Sequence, residues 1–274
     1  IKKVPAAVEF VDIAGLVKGA STGEGLGNAF LSNIREVDAI AEVVRIFKDK
    51  NVTHVSGEEL DPMDDVETIN LELILADLQT VTKRRANLVR DIKQNKKEAI
   101  LEDEELAEAQ ALLEAGKLAK PVSSLNLLSA KPILYVLNGK AGAPKADTAR
   151  LLEFIKSSGS EYVEVDAKVE QELSELESED KKVFKQELGV EDDGVNDLIT
   201  AAYKLLGLMS FFTTGLDETR GWTIKQGSTA PEAGAAIHTD FKDKFIRAEV
   251  IAYDKLLVAG SYANARDKGI LRTE

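Results

Sequence analysis

The chain has 274 residues, 44% hydrophobic and 30% charged, with a formal net charge of −13. That is enough for about two domains with a substantial core. No apolar run approaches 18 residues, so nothing reads as a membrane span. The chain has no cysteine, which excludes disulfides and thiolate metal sites and fits a reducing cytoplasm.

The charge is uneven. Residues 161–193 hold thirteen acidic and four basic side chains, whereas residues 77–97 hold seven basic and two acidic. A globally acidic chain is a poor non-specific binder of DNA, but the local basic stretch leaves a specific RNA contact open. The two histidines, His54 and His238, are too few for a histidine-rich metal site. The chain opens at Ile1 without a Met and closes on Leu271–Glu274 with no final element, and so reads as part of a longer protein.

Residues 7–12 (AVEFVD) predict a nearly buried strand ending in Asp12. Asp12 and Gly15 form D-x-x-G, the arrangement by which nucleotide-hydrolysing α/β domains hold Mg²⁺ and meet a γ-phosphate. The carboxylate reaches the metal, usually through water, and the glycine amide approaches the phosphate unobstructed. Gly15, Gly19, Gly23, Gly25 and Gly27 crowd the next stretch, too densely for a regular element. Leu26, Phe30 and Ile34 then predict a helix to about Val37.

Residues 38–47 predict a second strand, followed by a polar, turn-rich segment containing His54. From Asp64 the apolar spacing is helical through Leu71, Leu75, Leu78, Val81, Leu88 and Ile92, interrupted at Arg85. A second series runs through Ile100, Leu101, Leu106, Leu112 and Leu113, and residues 98–114 carry seven carboxylates without a Lys or Arg. A basic and an acidic helix would pair as an antiparallel hairpin or short coiled coil, inserted into the strand–helix alternation.

Residues 133–138 (ILYVLN) predict a third strand, 148–156 a helix, and 162–166 a fourth strand ending near Ala167-Lys168. Helices are expected in 169–188 and 195–208. Strands alternating with helices imply an α/β fold with a mostly parallel sheet, whose ligands bind at the carboxyl ends of the strands. Asp12, Asn138 and Asp166 all fall at such ends. FFTTG (211–215), RGWTI (220–224) and FIRAEVIAY (245–253) predict short strands of a small mixed β domain.

Four stretches together resemble one family: VEFVDIAGLVKGASTGEGLGNAFLSNIREVDAI, NVTHVSG, DVETINLELILADLQTV, and RGWTI with TAP and IHTDF-x-x-x-FIRAEV. They are similar to the YchF/Obg-like ATPases of the P-loop NTPase class, across nearly the whole chain. The resemblance implies a Ras-like nucleotide-binding domain in 1–70 and 128–207, an inserted helical coiled-coil arm in 71–127, and a TGS domain of β-grasp type in 208–274. It also implies an upstream segment with the phosphate-binding loop, since no G-x-x-x-x-G-K-[ST] occurs here, and further TGS strands downstream.

The resemblance implies ATP as substrate with Mg²⁺, the metal being held by Asp12 through water. Gly15, Asn138 and Gly139 would contact the nucleotide. Leu16 stands where Ras-like enzymes have a water-orienting Gln, and a leucine cannot orient water. The family's proposed substitute is a loop histidine, which His54 matches. Asn138 matches the base-recognition Asn. The family's fourth-position Glu is Ala141 here, so a guanine-specifying acceptor is missing while adenine preference is less secured. Asp166-Ala167-Lys168 stands where the family backs the base.

A translation-associated, cytoplasmic ATPase is expected, with its nucleotide state acting as a switch on the ribosome or its rRNA, and Lys83, Arg84, Arg85, Arg90 and Lys93 as the RNA-facing set. The alternative is a non-catalytic ribosome-, RNA- or protein-binding module with a vestigial nucleotide site. The 274 residues alone, without a phosphate loop, are expected to be inactive.

Overall fold

The structure, a computed structural model, describes residues 1–13, 26–49, 60–177, 180–181, 194–215 and 217–274. Gly15, Leu16 and His54 lie outside them. In chain order the strands are β1 (Lys2–Val4), β2 (Ile40–Arg45), β3 (Ile133–Asn138), β4 (Glu161–Val165), β5 (Leu208–Thr214), β6 (Glu218–Lys225), β7 (Glu249–Val250) and β8 (Arg272–Thr273). The helices are α1 (Leu26–Glu36), α2 (Pro62–Lys93), α3 (Lys97–Glu114), α4 (Ala149–Ser158), α5 (Ala167–Ser174), α6 (Gly194–Leu205), α7 (Ala230–Ile237), α8 (Asp240–Asp243), α9 (Tyr253–Ala259) and α10 (Tyr262–Asp267).

The chain divides into two units. One comprises Ile1–Glu9 with Gly207–Glu274, the other Phe10–Leu206. The first nine residues therefore depart from the expected nucleotide-binding domain. Lys2–Val4, not residues 7–12, form the strand, paired parallel to β6 with Lys3 level with Thr219. β6 also pairs antiparallel with β5, giving the order β1-β6-β5. The chain after β1 crosses so close to Gly221 that a Cβ there would stand 2.8 Å from the Ala6 nitrogen, which reserves the position for glycine. Trp222 donates its indole N–H to Thr213 Oγ1 across the pair (2.9 Å) and lies under the Arg220 guanidinium.

In the second unit β2, β3 and β4 form a parallel sheet in that order. β3 is buried along Ile133–Leu137, as a central parallel strand covered on both faces must be. Val44, Ile46, Met63, Val66, Ile133, Tyr135, Leu137, Leu151 and Ile155 make the core between the sheet, the start of α2 and α4. α4 stops at Gly159, whose φ of 72° provides the left-handed turn into β4. One core neighbour is out of character. Glu42 on β2 is 8% exposed, pairs in register with Tyr135, and leaves Oε2 without a hydrogen-bond partner. Burial, with the Asp65 carboxylate nearby, pushes its pKa up to about 8.

α2 begins in this core and leaves it. Asp61 caps it by accepting from Met63 N–H (2.9 Å), with Pro62 at the first position. Its far half packs against α3 through Val81, Leu88, Ala99, Leu106, Ala109 and Leu113. Arg84 grips Glu102 with two N–H donors (2.6 and 2.8 Å), and Arg85 grips Asp103 (2.8 and 3.2 Å) while also donating to Gln110 (2.9 Å). The break in apolar spacing at Arg85 is thus a fork that faces α3. These contacts hold the Glu102 and Asp103 carboxyls below their usual range. The turn at the tip places Asn95 at φ 56°, a left-handed position that asparagine tolerates better than most side chains.

At the root, Asp77 of α2 is 0% exposed. It accepts from Leu128 N–H (2.9 Å), Ser129 N–H (2.7 Å) and Ser129 Oγ (2.7 Å). Ser129 Oγ in turn accepts from Ala119 N–H (3.2 Å). Nearby, Lys131 Nζ and Asn126 Nδ2 donate to the Arg35 carbonyl at the end of α1, and Lys131 also to Val37 O.

Two outcomes follow for stability. Asp77→Ala strands three buried donors and lowers unfolding stability by about 3 kcal/mol, read from urea unfolding; a loss below about 1 kcal/mol would mean the donors find other partners. For Glu42, the folded state keeps a proton that the unfolded chain, near 4.5, gives up. Stability resting on the neutral acid is full below that value and drains away as pH rises to about 8. Urea midpoints between pH 5 and 8 should therefore move in favour of Glu42→Gln over the parent as pH rises; parallel profiles would show that Glu42 is charged in the fold.

Candidate functional site

The parallel register puts Arg45, Asn138 and Val165 level at the carboxyl ends of β2, β3 and β4. The residues just beyond each end converge, as ligand-binding loops do in open α/β sheets. Asn138 Oδ1 accepts from Ala167 N–H (3.1 Å), and Gly139 N–H donates to Val165 O (2.8 Å), so the β3 and β4 loops are tied twice. Ala141 N–H donates to Asp166 Oδ2 (2.7 Å). Asp166 Oδ1 accepts from Lys168 and Val169 N–H (3.1 Å each), capping α5. One carboxylate therefore holds both loops and starts a helix.

The Asn138 amide nitrogen, by contrast, donates to nothing among the described residues, which leaves it able to meet a base. The two Asp166 oxygens are already accepting backbone N–H groups, and the fourth position of the loop motif that starts at Asn138 is Ala141. Of the groups named in this loop pair, the Asn138 amide nitrogen is the free donor, and no carboxylate oxygen is without a partner. Guanine's N1–H and N2–H call for an acceptor that these groups do not have free, whereas the ring N7 that an amide donor can meet is common to both purines.

The β2 end supplies residues that the sequence alone did not single out. Lys140 Nζ pairs with Asp49 (2.5 Å), and both Lys140 and the Arg45 guanidinium lie over the Phe47 ring, at 5.9 and 5.8 Å from its centroid. The segment after β2 is strapped to the β3 loop by Lys48 N–H to Pro144 O (2.9 Å) and Ala146 N–H to Ile46 O (2.8 Å). Arg45, Phe47 and Asp49 alternate just past a strand end, which was the available signal.

Asp12 is exposed and makes no hydrogen bond or ion pair among the described residues. As a lone carboxylate it suits a single, water-mediated contact to a cation; no group of three or more metal-binding side chains occurs among the described residues. Of the basic set on the arm, Arg84 and Arg85 are engaged with α3, whereas Lys83, Arg90 and Lys93 are exposed. No helix among the described residues is long and apolar enough to cross a membrane.

Similarity to known proteins points one way. Residues 208–274 match a family model described as YchF-GTPase_C, protein of unknown function. The chain is 49% identical over 288 residues to the "Ribosome-binding ATPase YchF" of Bacillus subtilis, covering 100% of this chain and 78% of that protein. It is 43% identical to the protein of the same name in Haemophilus influenzae, covering 99% and 78%. A solved structure titled "Structure of the Schizosaccharomyces pombe YchF GTPase" is 33% identical, with a TM-score of 0.84, covering 100% of this chain and 78% of that one. The names of these relatives differ in the nucleotide they give, ATPase for the bacterial proteins and GTPase for the solved structure.

Asp166→Ala should untie the β3 loop and uncap α5 together. The expected result is a loss of about 1–2 kcal/mol, with faster amide exchange at Ala141, Lys168 and Val169. Protection unchanged at Ala141 would show that the loop is held by its other contacts.

Proposed function

This chain belongs to the YchF family, and we propose that it is the greater part of an ATP-hydrolysing protein that binds the ribosome and signals there by its nucleotide state. The observation that carries the reading is the Asn138 amide, held at the carboxyl end of β3 by Ala167 beside an Asp166 carboxylate whose two oxygens already accept backbone N–H groups. Loops without a free acceptor leave guanine's N1–H and N2–H unmet, which suits adenine over guanine. The ribosome enters from the names of the bacterial relatives, and a ribosome-bound protein works in the cytoplasm.

Asp12 would hold Mg²⁺ through water, and the metal would supply charge neutralisation at the phosphates. Gly15 would let the backbone approach the γ-phosphate. Leu16 leaves the nucleophile unoriented, and His54 takes that task as general base or water-positioning residue. The Phe10–Leu206 unit is the nucleotide-binding domain, with α2 and α3 as its coiled-coil arm, and the C-terminal unit is the TGS domain. The 274-residue polypeptide by itself, whose sequence has no G-x-x-x-x-G-K-[ST], turns over no ATP.

Steady-state turnover and competition binding on the full-length protein test this together. ATP should bind more tightly than GTP. His54→Ala should lower kcat about 10²-fold with KM little changed. Tighter GTP binding would overturn the base assignment, an unchanged kcat the role of His54. Failure to hydrolyse either nucleotide would favour the non-catalytic binding module.

A further inference from the structure

The core between the parallel sheet and α2 holds a polar centre that the nucleotide reading does not use. Glu42 of β2 and Tyr135 of β3 stand directly opposite one another. Glu42 shares a strand face with Val44, which packs with Tyr135 and Val66 of α2. Asn70 lies on α2 one turn past Val66 and is buried on the same side. Glu42, Tyr135 and Asn70 are 8%, 0% and 7% exposed. Glu42 Oε2, Tyr135 OH and Asn70 Oδ1 each lack a hydrogen-bond partner among the described residues. The Tyr135 hydroxyl is within electrostatic reach of both Glu42 and Asn70.

Unpaired buried oxygens are rare in native cores, and a count of donors accounts for these. With Glu42 ionised, the three oxygens share one hydrogen, that of the Tyr135 hydroxyl, and a charge stays buried. A proton on Glu42 removes the charge and adds a second O–H donor. Two donors then link all three oxygens in a chain of hydrogen bonds. The surroundings favour that proton. Asp65, in the first turn of α2, is the charged group that acts on Glu42, and it is another carboxylate. From β3 the titratable neighbour is Tyr135, kept neutral by burial with its pKa pushed up to about 12. α4 contributes the Phe154 ring, edge-on to Tyr135 at 6.2 Å. Arg45, three residues further along β2, lies on the other strand face.

From this cluster we infer that one proton shared by Glu42, Tyr135 and Asn70 latches β2 and β3 onto α2, and that Glu42 is a positioning residue whose ionisation weakens nucleotide binding at the strand ends. The inference rests on the nucleotide-binding reading and adds a regulator, the proton, to that same site. Glu42 and Tyr135 each precede the level pair Arg45 and Asn138 by three residues, about 10 Å along the strands. Once ionised, Glu42 repels Asp65 inside an apolar core. The repulsion is relieved by admitting water or by parting α2 from the sheet. Either change disturbs the packing that keeps Arg45, Asn138 and Val165 level. Glu42 keeps its proton at low pH and loses it as pH rises through about 8. Affinity is therefore full below that value and falls above it.

The test is equilibrium binding of a non-hydrolysable Mg·ATP analogue to the full-length protein, over the pH range in which circular dichroism shows the folded state. For the parent, Kd should rise about tenfold between about pH 7 and pH 9. Glu42→Gln, neutral at every pH and still a donor, should hold its affinity across the range. Asp65→Asn, which removes the repelling charge, should move the parent's inflection to lower pH. Amide exchange at Val44 and Leu137 reads the same event without nucleotide. At equal pH it should be faster in the parent than in Glu42→Gln above about pH 8, and alike in the two below about pH 7. Parallel profiles of parent and Glu42→Gln in binding and exchange overturn the inference and mean that a water, not a proton, completes the cluster. Should Glu42→Gln fail to fold, an inflection that Asp65→Asn leaves unmoved overturns it equally. Exchange that separates parent from Glu42→Gln, with no nucleotide bound at any pH, keeps the latch and removes the nucleotide reading.

Discussion

A buried carboxylate with three donors holds the second unit together at its branching point. Asp77 sits near the middle of α2, a 32-residue helix of roughly 48 Å. On one side of it the helix belongs to the sheet core through Met63 and Val66; on the other it belongs to the arm through Val81 and Leu88. By accepting from Leu128 N–H, Ser129 N–H and Ser129 Oγ, Asp77 fixes where the returning chain re-enters the domain, just before β3 begins at Ile133. A charge in that position is expensive unless every oxygen is satisfied. Two of its donors are backbone groups of the segment it anchors, so neither can be satisfied elsewhere without moving the other.

The position of β3 has consequences at its far end. The level of Asn138 with Arg45 and Val165 is a matter of register, and a one-residue slip would reverse which face each side chain takes. The core specifies the register, because Ile133, Tyr135 and Leu137 must meet Val44, Leu151 and Ile155. Strand burial thereby positions Asn138, and Asp166 then locks the two loops beyond the strand ends. The site is built from rigid elements and backbone donors, with few side chains of its own.

The parallel sheet was legible because its strands are buried and bounded. Residues 133–138 coincide with β3, and 38–47 and 162–166 contain or nearly match β2 and β4. The long helices were legible from three-four spacing and from the change in charge sign between them. What failed was pairing, which no local pattern specifies. Residues 7–12 are apolar enough for a strand, yet Lys2–Val4 found the partner, β6, and Phe10 and Val11 are exposed. FIRAEVIAY reads as one continuous strand. Glu249–Val250 pair with Arg272–Thr273, Ala248 exchanges backbone hydrogen bonds with Glu274, and Tyr253 already starts α9. The role of Asp166 was half visible: its place at a strand end was read, its hold on Ala141 was not, since that contact joins residues 25 apart.

The arm shows how composition and geometry part company. Seven basic residues within 77–97 suggest a uniform cationic surface. Two of the three arginines are instead neutralised within the fold, as bidentate partners of Glu102 and Asp103, and only the helical phase separates them from Lys83, Arg90 and Lys93. The clamp and the free stripe need each other. Half-exposed ion pairs contribute modestly to stability, but here they draw the acidic helix to one side of α2, and by doing so leave the opposite side uniformly positive. An arm paired through apolar residues alone would be as stable and would carry no such polarity.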